Sequence, residues 1–153
     1  MKAYKTPLRY PGGKSRAVQK LFGFLPPEVN YDELREPFLG GGSFAIEWTK
    51  RYPNTKVWVN DLYEPLTNFW QQLQLFGIEM RNELNQLKHR HIDHASAKSL
   101  FLEAKDYLNN GTDNFHRAVS FYCCNKCSFS GLTESSSFSK QASDSNFSFK
   151  GID

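Results

Sequence analysis

A run of three glycines between a β-type segment and a helical one constrains this chain more than anything else in it. Tyr31 to Phe38 reads as a short strand, Gly40-Gly41-Gly42 as a tight turn, and Ser43 to Tyr52 as a helix with Phe44, Ile46 and Trp48 available for burial. Pro53-Asn54 breaks the chain before Lys56 to Asp61, whose β-branched and aromatic residues favour a second strand. A strand–helix–strand unit of this kind begins a parallel, doubly wound sheet, so the expected class is α/β.

The turn also has a chemistry. Gly40, Gly42 and Ala45 satisfy the spacing G-x-G-x-x-[GA] between a strand and a helix. Glycines let a ligand approach main-chain N–H groups with no Cβ in the way. Alone, that spacing fits a purely structural turn equally well. Asp61, however, ends the next strand, 21 residues after Gly40. A carboxylate there can accept hydrogen bonds from both ribose hydroxyls, which points to an adenosine-type ligand.

Charge adds a partner class without settling it. Residues 1–27 carry Lys2, Lys5, Arg9, Lys14, Arg16 and Lys20 and no acid, although the 153-residue chain has a net charge of only +3. Such an arm suits a polyanion or a carboxylate-bearing ligand, and equally a solvated tail. Gly13-Lys14-Ser15 imitates the end of a phosphate-binding P-loop, but Leu8 stands where that motif needs glycine and no strand precedes it. What remains is an aromatic ring, a glycine turn and a lysine close together at Tyr10 to Lys14.

The rest of the chain reads as helices. Leu66, Phe69, Trp70 and Leu73 form one stripe, with Pro65 in its first turn and a stop at Gly77. Met80, Leu84 and Leu87 mark a second. Ala97, Leu100, Phe101, Ala104 and Leu108 mark a third, and Phe115, Ala118, Val119 and Tyr122 a fourth, capped by Asp113 or Asn114. From Ser128 to Ser148, nine of 21 residues are serine, which by composition is loop or disorder. Three cysteines, two of them adjacent, make no disulfide framework and suggest a reduced compartment. A single Cys124-x-x-Cys127 with scattered histidines lacks the second ligand pair of a zinc site, so buried thiols and no metal are expected. No apolar run approaches ~18 residues and no secretory leader is visible, which excludes a membrane span and favours a cytoplasmic protein.

Four blocks carry a family resemblance in one order. They are Pro7 to Arg16, Glu36-Pro37-Phe38-Leu39-Gly40-Gly41-Gly42-Ser43, Asn60-Asp61, and Asn125-Lys126-Cys127-Ser128-Phe129-Ser130-Gly131-Leu132. The chain resembles Dam-type adenine-specific DNA N6-methyltransferases over essentially its whole length. That resemblance implies a partial Rossmann-like methyltransferase sheet with a helical target-recognition insertion. It implies S-adenosyl-L-methionine as cofactor and double-stranded DNA as partner. By the resemblance, Tyr10, Lys14, Phe38, Gly40, Gly42 and Asp61 form the cofactor site, with the role of Lys14 open between pairing the methionine carboxylate and positioning its neighbours. Residues 1–65 would be the cofactor-binding part and 66–153 the recognition part. Arg9, Asn125, Lys126 and Ser130 would face DNA. Two of these depart from the family, which commonly has Asn-Arg and a later Asn; lysine lacks the bidentate fork of arginine. Phe129 could stack on DNA, and as a bulky aromatic is expected rather to anchor the core.

The family acts on the flipped adenine through Asp-Pro-Pro-Tyr, whose Asp and backbone bond the amine and whose Tyr stacks on the base. No such tetrapeptide occurs in these 153 residues; the one double proline is Pro26-Pro27. The expectation is therefore a fragment with no catalytic residues of its own, inactive alone, whose uncompleted sheet edge favours self-association. The competing reading is a non-catalytic remnant that binds DNA or S-adenosylmethionine.

Overall fold

A computed structural model describes residues 4–27 and 30–153; Lys2 of the basic arm lies outside them. The chain divides into two compact units, at Leu62 and Tyr63.

In the first unit both expected strands form, shorter than the sequence suggested. Strand β1 (Glu33–Glu36) pairs in parallel with β2 (Lys56–Val59), in a register that sets Leu34 beside Val57 and Glu36 beside Val59. Two helices precede and join them, α1 (Val18–Phe22) and α2 (Ser43–Arg51). The helix expected from Lys14 to Leu25 is cut down at both ends. It begins as a 3₁₀ turn at Lys14–Arg16, and Gly23 closes α1 well before the prolines.

The sheet gains its cover from aromatic rings. Phe22 stacks on Phe44 at 4.6 Å between centroids, and Trp48 lies 5.3 Å from Tyr31 and 4.5 Å from Tyr52. Trp48 is buried, and its indole N–H donates to Thr55 Oγ1 at 2.7 Å, so its one polar atom is satisfied. Along β1 the side chains alternate, with Leu34 and Glu36 inward. Leu34 is buried. Phe38 beyond it is exposed.

In the second unit α3 (Glu64–Arg90), α4 (His94–Asn110) and α5 (Asn114–Cys127) are followed by α6 (Lys140–Asn146) and α7 (Phe149–Ile152). The two stripes expected on either side of Gly77 fall on α3, which bends at Phe76, where φ is −135° and ψ 39°. Glycine next to the bend carries no Cβ to oppose it. Asp113 caps α5 through the His116 N–H at 2.8 Å, and Asp93 caps α4 through the Ser96 N–H at 3.0 Å. Helix α5 is the core of the unit: every residue from Ala118 to Cys127 is buried. A helix buried on all sides is packed from all sides, here by α3, α4 and α6.

The serine-rich segment is not a loose loop. Ser139 and Ser148 cap α6 and α7, accepting from the Ala142 and Gly151 N–H groups. Phe147 is fully buried against Tyr122, whose hydroxyl donates to the Gly151 carbonyl at 2.8 Å. Composition misleads here because serine is a good helix cap as well as a linker residue. Among the described residues no helix is long and apolar enough to cross a membrane.

Truncating Phe147 to Ala should therefore destabilise the chain by about 3–5 kcal/mol, as for a buried ring in a packed core. Urea denaturation followed by circular dichroism measures it. A loss within experimental error would return this segment to the status of a loop.

Candidate functional site

Tyr10 to Gly13 form a tight turn closed by the Gly13 N–H on the Tyr10 carbonyl at 2.9 Å. Pro11 and Gly12 occupy its centre, and Gly12 has φ +70°, the combination a type II turn needs. The turn lays the Tyr10 ring along the glycine loop after β1. A Cβ on Gly40 would sit 3.0 Å from Tyr10 Cε1, and Gly40 has φ +54°, so only glycine fits there without strain.

Two contacts lock the loop from either side. The Gly40 N–H donates to Asp61 Oδ2 at 2.8 Å, which ties the glycine loop to the end of β2. Lys14 Nζ donates to Glu36 Oε1 at 2.7 Å and to the Phe38 carbonyl at 2.9 Å, which ties the arm to the end of β1. Glu36 is only 7% exposed, and its Oε2 has no hydrogen-bond partner among the described residues. Burial raises the Tyr10 hydroxyl above its ordinary range; the Asp61 charge adds to that and Lys14 offsets part of it. Tyr10 is therefore a neutral ring at physiological pH.

These contacts enclose a pocket of about 290 Å³. Tyr10, Lys14, Phe38, Gly40, Gly42 and Asp61 all line it. Six residues singled out in three separate blocks of sequence thus meet around one cavity. Its wall is glycine backbone, with a carboxylate, an ammonium group and two aromatic rings around the mouth. Glu36, quoted only as part of the glycine-turn block, was given no role of its own because an acid in a short strand reads as a solvent-facing position. Its inward phase relative to Leu34, two residues earlier, was the available signal.

The residues expected to face DNA divide. Ser130 is exposed, in the left-handed region at φ 53°. Arg9 is half-buried and does not line the pocket. Asn125 is 1% exposed and its Nδ2 donates to the Gly131 carbonyl at 3.3 Å, while Lys126 is 9% exposed with Nζ 5.1 Å from the centre of the Tyr122 ring. These two side chains, expected to face DNA, lie in the buried end of α5, next to the loop that follows it. Phe129, expected in the core, is exposed instead. Cys123, Cys124 and Cys127 are buried thiols, and burial pushes Cys124 up to about 12. Among the described residues no three metal-ligating side chains cluster.

Because Lys14 neutralises a buried carboxylate, Lys14→Met should lower stability by about 1–3 kcal/mol even with no ligand present. The double variant Lys14→Met/Glu36→Gln should recover part of that loss, since the stranded charge is gone. Chemical denaturation of the four proteins of the cycle checks this. A Lys14→Met chain as stable as the parent would restrict Lys14 to ligand contacts.

The family model of D12 class N6 adenine-specific DNA methyltransferases matches residues 10–151. The chain is 26% identical to the type II methyltransferase M.MjaIII of Methanocaldococcus jannaschii, over 82% of this chain and 46% of that protein. It is 30% identical to a DNA N-6-adenine-methyltransferase of Escherichia phage P1, over 82% of this chain and 15% of that protein. A DNA adenine methylase of Vibrio cholerae is 27% identical, over 86% of this chain and 44% of that protein. The chain thus spans less than half the length of these relatives. With the match running from the turn at Tyr10 through the last helix, the chain belongs to the D12 class of N6 adenine-specific DNA methyltransferases.

Proposed function

We propose that these residues form the cofactor cradle and part of the DNA-contacting region of an enzyme that transfers methyl from S-adenosylmethionine to adenine N6. The observation that carries this reading is the convergence of Tyr10, Lys14, Phe38, Gly40, Gly42 and Asp61 on one pocket. The fit can be argued from the pocket itself. The glycine loop presents backbone free of side chains along the pocket, and a carboxylate at the end of β2 suits vicinal ribose hydroxyls. The parallel β1–α2–β2 unit supports assigning the sheet to the Rossmann-like class.

Within that reading the bound cofactor supplies an electrophilic methyl group. Asp61 holds the ribose and, through the Gly40 N–H, fixes the loop against which the cofactor lies. Tyr10 offers an apolar face. Lys14 neutralises Glu36 and keeps the arm over the loop, which is the positioning role of the two left open for it. Residues 63–153 then serve DNA: Ser130 bonds phosphate or base, exposed Phe129 stacks on or wedges into the duplex, and Arg9 adds a basic contact from the arm. Asn125 and Lys126 act as loop-positioning residues. A DNA substrate would make the cytoplasm the place of work.

Titration calorimetry with S-adenosylmethionine tests the cradle. Weak binding is expected, and Asp61→Ala should weaken it by a further 1–3 kcal/mol or so, the scale of a charged hydrogen bond. Asp61→Asn should lose less, because an amide oxygen can still accept the Gly40 N–H. Equal affinity in parent and Asp61→Ala would remove Asp61 from the site.

These 153 residues contain no Asp-Pro-Pro-Tyr, so nothing in them accepts the hydrogens of the target amine as it becomes nucleophilic. The isolated chain should therefore transfer no labelled methyl to adenine-containing duplex DNA. Turnover above a protein-free control would demand an acceptor not identified here. No turnover with intact cofactor binding is also what a non-catalytic remnant would show. The free edge of β1, which has no second strand among the described residues, and exposed Trp58 favour self-association at ~25 cal/mol per Å² of apolar surface covered.

A further inference from the structure

A groove in the second unit lies apart from the side chains given a ligand contact above. Its volume is about 430 Å³, within the range of small-molecule sites. One face of each of three helices builds it. Leu87 of α3, Leu100 and Ala104 of α4, and Val119 and Cys123 of α5 give it an apolar floor. Spacings of four residues on α4 and on α5 keep each pair on one side of its helix.

The fixed charges in the groove are of one sign. No lysine or arginine lines it, although the chain has a net charge of +3. Two carboxylates do, Glu83 from α3 and Glu103 from α4. Glu83 has no hydrogen bond or ion pair among the described residues. Glu103 Oε1 accepts from Ser99 Oγ at 2.8 Å, which leaves most of the acceptor sites of that carboxylate open. His116, also in the lining, has its own partner in Asp113 at 2.7 Å. The lysines of α4 are sorted away: Lys98 and Lys105 line a different cleft.

The floor carries one polar group that the fold leaves unanswered. Ser120 is only 9% exposed, and its hydroxyl has no partner among the described residues. A buried hydroxyl in that state costs free energy, and this one lines the groove, where a ligand can satisfy it. Cys123 does not compete for that part. Burial first, then the neighbouring thiols and the Glu83 charge, push its thiol well up, so it stays neutral.

This arrangement selects among ligand classes. Among the described residues no three metal-ligating side chains cluster, so the carboxylates, imidazole and thiol do not gather at a point as a bare metal ion requires. An anion would meet two carboxylates with no lysine or arginine to offset them. A neutral apolar ligand would cover the floor and leave the acids and the hydroxyl as they are. A small organic cation uses all three features, since an ammonium head has three donors to share among them.

We propose that the groove binds a small organic cation, an alkylammonium whose chain lies on the floor of α4 and α5 and whose head pairs with Glu83 and Glu103. This rests on neither the cofactor cradle nor DNA as partner.

Titration of the full chain with n-hexylammonium, read by amide proton–nitrogen correlation spectra, tests the site. Saturable shifts are expected in residues 100–107 and 116–123. The neutral 1-hexanol should bind about tenfold more weakly, the scale of a lost charged hydrogen bond, and hexanoate more weakly still. Glu83→Gln/Glu103→Gln should bring the affinity for n-hexylammonium down to that for 1-hexanol and leave 1-hexanol unaffected. Three results would overturn the site: no saturable shift, 1-hexanol or hexanoate binding the parent as tightly as n-hexylammonium, or equal n-hexylammonium affinity in parent and variant with parental circular dichroism. Should the variant lose its circular dichroism signal, the three probes on the parent chain still decide. A trilysine peptide shifting the same resonances more tightly than n-hexylammonium would overturn the small ligand in favour of a protein partner. None of these outcomes touches the calorimetry that tests the cradle.

Discussion

A carboxylate placed inside the first unit governs the construction around it. The alternation of β1 turns Glu36 inward with Leu34, and a buried carboxylate is tolerated only when a cation and hydrogen-bond donors reach it. Lys14 is that cation, and it also takes the Phe38 carbonyl. The consequence is geometric. With Lys14 held at the end of β1, the turn from Tyr10 to Gly13 must lie over the glycine loop, and the tyrosine ring is pressed to within van der Waals contact of Gly40 and Gly41. The pocket is the space those constraints leave.

That order of dependence explains what the sequence could and could not reveal. The positions of the glycine loop and Asp61 were legible because both lie at strand ends, where spacing along the chain translates directly into place. Glu36 was not, because its burial follows from the phase of a four-residue strand, and a strand that short carries too few positions for alternation to stand out. The basic arm shows the same limit from the other side. Net charge suggested a solvated or polyanion-seeking segment, yet Lys14 is engaged with the fold, so one of the arm's charges is internal to the structure.

In the second unit, apart from the serine-rich segment, the departures from expectation share one cause. Helical spacing placed the four apolar stripes correctly, but it could not show that α5 is surrounded. Once a helix is buried on every side, its polar residues are interior too, which is why Asn125 and Lys126 left the surface. Their burial has a structural return. Ser130 and Thr133 both adopt positive φ, each costing roughly 1–2 kcal/mol for a residue with a Cβ. The loop keeps that shape because Asn125 holds the Gly131 carbonyl and Ser128 Oγ accepts the Thr133 N–H at 3.1 Å. Phe129 is thereby left outside, a position that its size alone would have argued against.

The distribution of ligand-facing groups between the units has a thermodynamic consequence. Every residue lining the pocket lies between Tyr10 and Asp61, within the first unit. A ligand that binds only the folded form stabilises it by RT ln(1 + [L]/Kd), and the gain falls on whichever unit supplies the contacts. A ligand filling that pocket would thus stabilise the small sheet, which among the described residues has two strands and a short aromatic core to hold it. Two-stranded sheets are marginal by themselves. The helical unit has a buried central helix, two capped helices packed on it and a capped tail, so its order does not wait on a ligand. The same separation lets the buried ion pair matter twice: Lys14 and Glu36 hold the unit that most needs support, and they do so at the wall of the pocket where that support would bind.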